Sequence, residues 1–371
     1  MWKSKKIRNS HDLYIIYSTQ SPSKIHRIIH GKTETQDYLN LISLQSDHQP
    51  PSPVMYDVET RVFEERLTPA QKQELTHKIR NYSTEEIAED YNRLVAIGCE
   101  AKNKSVYVNT GNKIVDHFTF VERLNTLGRN KMTFFEFWES REHFFNKPNL
   151  KSLIQKLQKE RPYESEYTRT YNVYRLYYGS VSIFKPLLAM EYYCQFQPTS
   201  ILDFTMGWGG RLVGACALNV PKYIGIDNNT LLEPHYRDLT AFLAPRTETK
   251  PTLLFQDALE VDYSKITYDM VFTSPPYYNI EKYNDMKTYK SKQDWDELFY
   301  FPLFYLTYKH LKRGGVYCLN ISSEIYERVC VPLLGNAHET FPMKKQSRHN
   351  KKTTEQKHMN TEYVYVWKKH I

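Results

Sequence analysis

The C-terminal half of the chain alternates between short β-rich runs and segments of helix length, and this alternation constrains the fold most. Five strands are predicted: SILDF (200–204), KYIGID (222–227), PTLLFQD (251–257), YDMVFTS (268–274) and GGVYCLNIS (314–322). Strands that alternate with helices form a doubly wound, mostly parallel sheet. We therefore predict an α/β fold, with helices near 184–195, 211–218 and 292–312.

The chain is predicted to contain two domains, the second of which ends in an edge strand. Residues 1–165 are predicted to form a separate, largely helical N-terminal domain, with a Pro-rich linker near 45–54, and residues 166–371 form the α/β domain. The last segment, TEYVYVWKK (361–369), alternates apolar and polar residues, which predicts an antiparallel edge strand.

The N-terminal domain carries clear helix signals. Pro69 after Thr68 is typical of a helix start, and Ser83 with Glu86 forms a capping box for a second helix, which Gly98 would end. Two short helices in sequence could form a helix-turn-helix, but a plain helical hairpin is the favoured interpretation.

Composition excludes several classes of protein. The five cysteines are odd in number and scattered, with no C-x-x-C pair. This pattern disfavours a disulfide framework or a cysteine zinc site and favours a reducing, intracellular compartment. No apolar run reaches about 18 residues, and no apolar core follows the basic N-terminus, so we expect neither a membrane span nor a secretory signal.

Polar residues follow successive predicted strands, where open α/β sheets bind ligands. After Asp203, the turn holds Gly207, Gly209 and Gly210, which let the backbone approach a cofactor and present amide donors at a helix start. Asp227 ends the next strand, twenty residues after Gly207. An acid at that spacing can accept hydrogen bonds from both ribose hydroxyls, or it can cap a helix.

The strongest signal is TSPPYY (273–278), directly after the apolar strand DMVF. A Pro-Pro pair cannot continue a paired central strand, because neither nitrogen can donate a hydrogen bond. It fixes a rigid, extended backbone that positions the preceding side chain and a carbonyl oxygen. Asp257, between this motif and Asp227, ends another strand and could bind an adenine amino group or cap a helix.

At these residues the chain resembles the S-adenosylmethionine-dependent amino-methyltransferases that modify the exocyclic amine of cytosine or adenine in DNA, as in large DNA viruses and restriction–modification systems. The resemblance covers about residues 180–322 and is carried by Lys185-Pro186, Asp203, the 207–210 glycines, Asp227, Asp257 and the tetrad Ser274-Pro275-Pro276-Tyr277. Two positions depart from the family pattern. Asp203-Phe204-Thr205 stands where Asp-Pro-Phe is usual, and Trp208 stands where a small residue is common.

The resemblance implies a seven-stranded, Rossmann-like methyltransferase sheet with S-adenosylmethionine as cofactor and no metal. The cofactor-binding residues it implies are Lys185, Asp203, Thr205, Gly207, Gly209, Asp227 and Asp257, and the catalytic residues are Ser274, Pro275, Pro276 and Tyr277. Ser274 Oγ and the Pro275 carbonyl would hold the two hydrogens of the target amine. Tyr277 would stack on a base turned out of the duplex.

The substrate is predicted to be DNA. Ser at the first tetrad position is common in cytosine N-4 enzymes, so cytosine is favoured over adenine N-6. The net charge of +8 suits a polyanion. RNA, a protein amide and a non-catalytic role as a nucleic-acid-binding partner remain alternatives, and no membrane partner is expected.

A basic segment near the C-terminus is the second candidate for nucleic-acid contact. Residues 341–360 hold six basic residues and one acidic residue, which fits a polyanion or a solvated loop. The contact residues predicted here are Lys344, Lys345, Arg348, Lys351 and Lys352. Because the α/β fold needs most of the C-terminal half, target recognition is predicted largely at 1–165, helped by this segment.

Overall fold

The computed structural model describes the strands at 2–7, 13–18 and 25–29, and then residues 67–103, 108–128, 131–280, 282–343 and 362–370. The predicted linker at 45–54 and the basic contacts Lys344, Lys345, Arg348, Lys351 and Lys352 lie outside the described residues. The chain separates into two compact units, Met1–Val62 and Phe63–Ile371. The domain boundary predicted at residue 165 falls inside the second unit.

The first unit contains a three-stranded antiparallel meander. Its strands are β1 (Trp2–Ile7), β2 (Leu13–Ser18) and β3 (Ile25–Ile29), in that spatial order. Ile7 pairs with Leu13, and Leu13 pairs with Ile29. The mixed patterning of this region did not predict these strands.

In its described residues, the second unit begins with seven α-helices: α1 (Pro69–Ile79), α2 (Thr84–Ile97), α3 (Asn112–Asn125), α4 (Phe134–Glu139), α5 (Arg141–Phe145), α6 (Pro148–Glu160) and α7 (Glu166–Tyr174). The helix signals are confirmed, since Thr68 and Ser83 both form capping boxes. Gly98 ends α2 with a positive φ of 48°. Helices on both sides of residue 165 pack together, because α7 contacts α1 and α6.

A seven-stranded sheet forms the centre of this unit. Its strands are β4 (Ser200–Asp203), β5 (Lys222–Asp227), β6 (Lys250–Phe255), β7 (Met270–Thr273), β8 (Val316–Ser322), β9 (Glu339–Pro342) and β10 (Glu362–Lys368). Their spatial order is β6-β5-β4-β7-β8-β10-β9. The pairs among β4 to β8 are parallel, and β10 pairs antiparallel with β8 and β9. The predicted doubly wound α/β fold is confirmed.

The remaining helices cover the two faces of this sheet. They are α8 (Pro186–Phe196), α9 (Gly210–Ala217), α10 (Glu233–Leu243), α11 (Lys292–Trp295, a π turn at Asp296–Tyr300, and Phe301–His310) and α12 (Ser323–Ile325, a π turn at Tyr326–Cys330, and Val331–Leu334). Successive strand residues face opposite sides. Ile201 thus packs in a core with α8, α9 and α10, and Leu202 packs in a second core with α11 and α12.

The sheet reverses its winding direction at β4. From β4 the order runs through β5 to β6 on one side and through β7 to β8 on the other. The crevice outside the carboxyl ends of strands at such a switch point is the usual ligand site of open α/β sheets. Here it places the segment after Asp203 beside the segment after Thr273.

Two features correct the sequence analysis. The strand predicted at the sheet edge, β10, is antiparallel but lies one position inside, because β9 pairs with its outer side.

A disulfide joins Cys99, after α2, to Cys194 in α8, contrary to the expectation from cysteine spacing. It spans 95 residues, a separation that a search for local cysteine patterns does not detect. Cys216, Cys318 and Cys330 are free and buried.

Within the described part of the chain, no helix combines the length and apolar character that a membrane span requires.

Candidate active site

Asp203, at the end of β4, anchors a buried polar network. Its carboxylate accepts hydrogen bonds from Arg211 Nε at 2.6 Å, Tyr223 OH at 2.5 Å and Thr273 Oγ1 at 2.8 Å. The Asp203 side chain is fully buried, and the Arg211 side chain is 4% exposed. A buried carboxylate requires such partners. Asp203 therefore links the ends of β4 and β7 to Tyr223, near the start of β5, and to Arg211 in α9.

Thr205 connects this network to the turn after β4. Its hydroxyl lies 2.6 Å from Thr273 Oγ1, and its carbonyl accepts from Arg211 Nη2. Neither Thr273 nor Arg211 was singled out from the sequence. The available signal was polarity, since both lie in otherwise apolar elements, but their partnership with Asp203 depends on tertiary structure.

The glycines of the turn serve different purposes. Gly207 has φ of +58°, and a Cβ there would meet nothing nearer than the Thr205 carbonyl oxygen at 3.9 Å. Gly209 has φ of +90°, and a Cβ there would approach Leu239 to 2.9 Å. Gly210 begins α9, where a Cβ would lie 1.8 Å from the Phe184 carbonyl oxygen. Gly207 therefore borders open space, whereas the other two permit close packing.

Asp227, at the end of β5, lies directly against this turn. Its Oδ2 accepts from the Gly207 amide at 2.8 Å, and its Oδ1 accepts from the Asn229 amide at 3.0 Å. Burial raises the pKa of Asp227 to about 6, although the two amide hydrogen bonds oppose this shift. Asp227 as a whole residue is partly buried, and its carboxylate is held against the Gly207 turn by these two amides.

Asp257 and Lys185 have partners of their own. Asp257 Oδ1 caps the turn Ala258–Glu260 through the Leu259 amide, and Oδ2 lies 2.6 Å from Lys287 Nζ. Lys185 precedes α8, with Nζ 3.4 Å from the Val108 carbonyl oxygen, and burial lowers the pKa of its ammonium group. The capping role foreseen as an alternative for Asp257 is thus present in the structure.

The tetrad 274–277 begins where β7 ends, as the Pro-Pro argument predicts. Ser274 and Tyr277 are partly buried, and Pro275 is buried. Ser274 Oγ lies 3.2 Å from Asn320 Oδ1 in the neighbouring strand β8. Tyr277 OH donates to the Asn320 carbonyl oxygen at 3.0 Å. Contacts with Asn320 in β8 therefore fix the positions of Ser274 and Tyr277.

A second group of residues holds the backbone after the tetrad. The Tyr300 hydroxyl donates to the Pro276 carbonyl oxygen at 2.5 Å and accepts from the Tyr278 amide at 3.0 Å. Tyr278 has φ of +52°, a left-handed conformation that a bulky residue adopts only when its surroundings enforce it. Its hydroxyl donates to Asp296, which Arg328 also contacts.

Trp208, the departure from the family pattern, is a core residue. Its side chain is 6% exposed and packs in the core with α8 and α9, with its ring centroid 6.1 Å from that of Tyr283. Its carbonyl accepts from the Thr119 hydroxyl in α3. The main-chain carbonyl of Trp208 therefore links the turn after β4 to a helix of the N-terminal part of this unit.

The structure thus brings Asp203, Thr205, Gly207, Asp227 and the tetrad to one end of the sheet. Sequence reasoning missed Asn320, which touches both hydroxyls of the tetrad. Its one signal was an amide inside the apolar strand VYCLNIS.

No family model matches the chain, and a search of curated proteins finds no relative. Among solved structures, TrmN from Thermus thermophilus is 15% identical over 50% of this chain and 48% of its own, with a TM-score of 0.34. The chain thus spans about half the length of TrmN. An S-adenosylmethionine-dependent methyltransferase from Clostridium acetobutylicum is 14% identical over 56% of this chain and 100% of its own, with a TM-score of 0.37. An S-adenosylmethionine-dependent O-methyltransferase from Thermotoga maritima is 13% identical over 54% of this chain and 71% of its own, with a TM-score of 0.36. We draw no functional conclusion from likeness at this level.

Proposed function

We propose that the protein is an S-adenosylmethionine-dependent methyltransferase that modifies an exocyclic amine of a base in DNA, with cytosine N-4 as the favoured target. One observation carries the proposal. The tetrad 274–277 leaves β7 at the switch point of the sheet, next to the turn that holds Gly207 against Asp227.

The residues at the end of β4 and β5 fit the cofactor. The open space beside Gly207 allows a ligand to approach the backbone closely. The carboxylate of Asp227, at the end of β5, would offer acceptors to ribose hydroxyls. Asp203 has a different task, since its oxygens are engaged by Arg211 and Tyr223.

The chemistry follows from the acceptors of the tetrad. An exocyclic amine is a poor nucleophile, because its lone pair is delocalised into the ring. Ser274 Oγ and the Pro275 carbonyl would accept its two hydrogens, which favours a pyramidal nitrogen with a localised lone pair. The cofactor supplies a methyl group on a sulfonium, whose carbon–sulfur bond breaks, leaving the electron pair on sulfur, as the nitrogen–carbon bond forms. The methylated nitrogen then loses a proton to water.

The choice of nucleic acid rests on charge and on Tyr277. The chain carries a net charge of +8, which attracts a polyanion. The Tyr277 hydroxyl is fixed by Asn320, so its ring has a defined orientation against which a base could stack. Ser274 at the first tetrad position favours cytosine over adenine, as the family resemblance implies.

The test is a methyl-transfer assay on mixed-sequence DNA and RNA, followed by digestion to nucleosides and mass analysis. We expect N4-methylcytosine in DNA. The Ser274→Ala variant should make it at least about 100-fold more slowly. Ser264→Ala, which changes an exposed serine of the turn Tyr263–Lys265, should match the wild type.

Each of the other possible outcomes would refute one part of the proposal. Methylated adenine would refute the choice of base, and product in RNA alone would refute the choice of polymer. Bound cofactor with no product on either polymer would refute a nucleic-acid substrate and point to a protein amide. A protein that binds no cofactor would refute catalysis and leave a nucleic-acid-binding partner.

A further inference from the structure

The side chain of Asn320 lies directly behind the two hydroxyls of the tetrad. Asn320 Oδ1 is 3.2 Å from Ser274 Oγ and 3.4 Å from Tyr277 OH. On its other side, Asn320 Nδ2 is 3.2 Å from the carbonyl oxygen of Tyr363 in β10. Asn320 is 2% exposed, so these protein groups provide its polar partners.

The orientation of this amide follows from the chemistry of its partners. A backbone carbonyl can only accept hydrogen bonds, so the NH₂ group of Asn320 must face Tyr363. The amide oxygen must then face Ser274. Because an amide oxygen has no hydrogen to give, the Ser274 hydroxyl is the donor in this pair.

This assignment determines what Ser274 can offer to a substrate. A serine hydroxyl has one hydrogen and two lone pairs. With its hydrogen directed to Asn320, the Ser274 oxygen keeps its lone pairs for an incoming N–H group. Tyr277 does not compete for the amide oxygen, since its hydroxyl has a shorter contact, 3.0 Å, with the Asn320 carbonyl.

We propose that Asn320 is a positioning residue that makes Ser274 a hydrogen-bond acceptor for the target amine. The inference rests on the proposed function, since it requires an amine substrate at Ser274. An amide cannot take up a proton near neutral pH, so Asn320 orients the Ser274 hydroxyl without acting as a base. The proton released by the methylated nitrogen goes to water.

The experiment compares single-turnover methyl transfer by four proteins at saturating cofactor: wild type, Asn320→Leu, Ser274→Ala and the double variant. Leucine has a similar size but neither accepts nor donates. We expect Asn320→Leu to lower the rate by about 10- to 100-fold, less than the roughly 100- to 1,000-fold loss that follows removal of a group in direct contact with the transition state. Cofactor affinity should stay within about twofold of the wild type, since Asn320 lies behind the tetrad rather than at the glycine turn.

The double variant distinguishes positioning from a structural effect. If Asn320 acts through Ser274, Asn320→Leu should cause no further loss in the Ser274→Ala protein. Thr307→Val is the matched control, because it removes a buried hydrogen bond to Tyr317 in β8 without touching the tetrad. It should lower the melting temperature but leave the rate near that of the wild type.

The Asn320→Asp variant adds a pH readout. A protonated carboxyl can donate to the Tyr363 carbonyl and accept from Ser274, as the amide does, whereas an ionised one turns a negative oxygen toward that carbonyl and loses this contact. The rate of this variant should therefore fall as pH rises and the new carboxyl ionises, beyond any change in the wild type.

A wild-type rate for Asn320→Leu, or losses that add in the double variant, would overturn the inference. A wild-type protein that is inactive on every nucleic acid would refute the proposed function, and this inference with it.

Discussion

Asp203 and Asp227 are both carboxylates at the ends of neighbouring strands, but their surroundings give them different chemistry. Asp203 is paired with Arg211 inside the protein, so its charge is compensated and its role is to hold the strand ends. Asp227 is held by two backbone amides, and burial raises its pKa to about 6. Only Asp227 is both partly buried and next to the open space at Gly207.

This difference predicts how cofactor binding depends on pH. In the folded protein the protonated form of Asp227 is favoured up to about pH 6, which is above the usual range of an aspartate. The ionised form is the better acceptor for ribose hydroxyls. We expect the affinity for S-adenosylmethionine to increase between pH 5 and pH 7, with its midpoint near about pH 6. Calorimetric titration at several pH values measures this.

The Asp227→Asn variant is the control for that titration, since asparagine does not ionise. Its affinity should be lower at pH 7 and should not vary over the same pH interval. Equal pH dependence in the variant and the wild type would contradict the role of Asp227.

The two kinds of glycine in the turn give a second prediction. Gly207→Ala places a methyl group in open space and costs about 1–2 kcal/mol for the left-handed backbone. Gly210→Ala forces a Cβ against the Phe184 carbonyl oxygen at the start of α8. We expect Gly210→Ala to lower the melting temperature more than Gly207→Ala does. We expect Gly207→Ala to weaken cofactor binding more than Gly210→Ala does, relative to the stability that each variant loses. Thermal unfolding and cofactor titration of both variants would show the reverse order if this assignment were wrong.

At the scale of secondary-structure elements, short sequence patterns predicted the strands, the strand end and the helix starts that depend on neighbouring residues alone. The apolar runs predicted β4 to β8, and the Pro-Pro pair predicted that the fourth of these strands stops before Pro275, as β7 does at Thr273. Capping residues predicted the starts of α1 and α2. In contrast, β9 has only four residues and alternating exposure, so its pattern was too short to recognise. Its pairing with β10 is what moved the predicted edge strand inside the sheet.

Contacts between distant elements could not be predicted in this way. The role of Asn320 requires β8 to lie between β7 and β10, and nothing within VYCLNIS specifies those neighbours. The pairing of Asp203 with Arg211 and Tyr223 likewise requires the turn, the helix and the next strand to fold back together. The sequence therefore pointed to residues at the carboxyl ends of the strands, whereas the residues that support them became visible only in the tertiary structure.

The disulfide between Cys99 and Cys194 links two elements and can be tested separately. It ties the turn after α2 to α8, the helix that Lys185 precedes. A cross-link over 95 residues stabilises a fold by about 4–5 kcal/mol in the chain-entropy account. We expect a thiol reductant to lower the melting temperature by several degrees. A double variant with serine at both positions should already melt lower and should not respond to reductant. A wild-type melting temperature that reductant leaves unchanged would show that this bond does not stabilise the protein.

At the scale of the whole molecule, the charge distribution indicates where the proposed nucleic-acid substrate would bind. The basic segment near the C-terminus lies outside the described residues, so its role stays a prediction. Replacing Lys344, Lys345, Lys351 and Lys352 with glutamate should weaken DNA binding. Each lost phosphate contact removes about 0.9 from the slope of log affinity against log salt, so the slope should decrease by up to about 4. Unchanged binding at all salt concentrations would exclude this segment from the interface.

The central claim is that the crevice between β4 and β7 transfers a methyl group from S-adenosylmethionine to a base amine held by Ser274. The most direct test is the single-turnover rate of methyl transfer to DNA by the wild type and by Ser274→Ala, each saturated with cofactor. We predict transfer by the wild type and a rate at least about 100-fold lower in Ser274→Ala, with equal cofactor binding. Equal rates in the two proteins would contradict the claim, because the amine would then be methylated without the residue at which the site is centred.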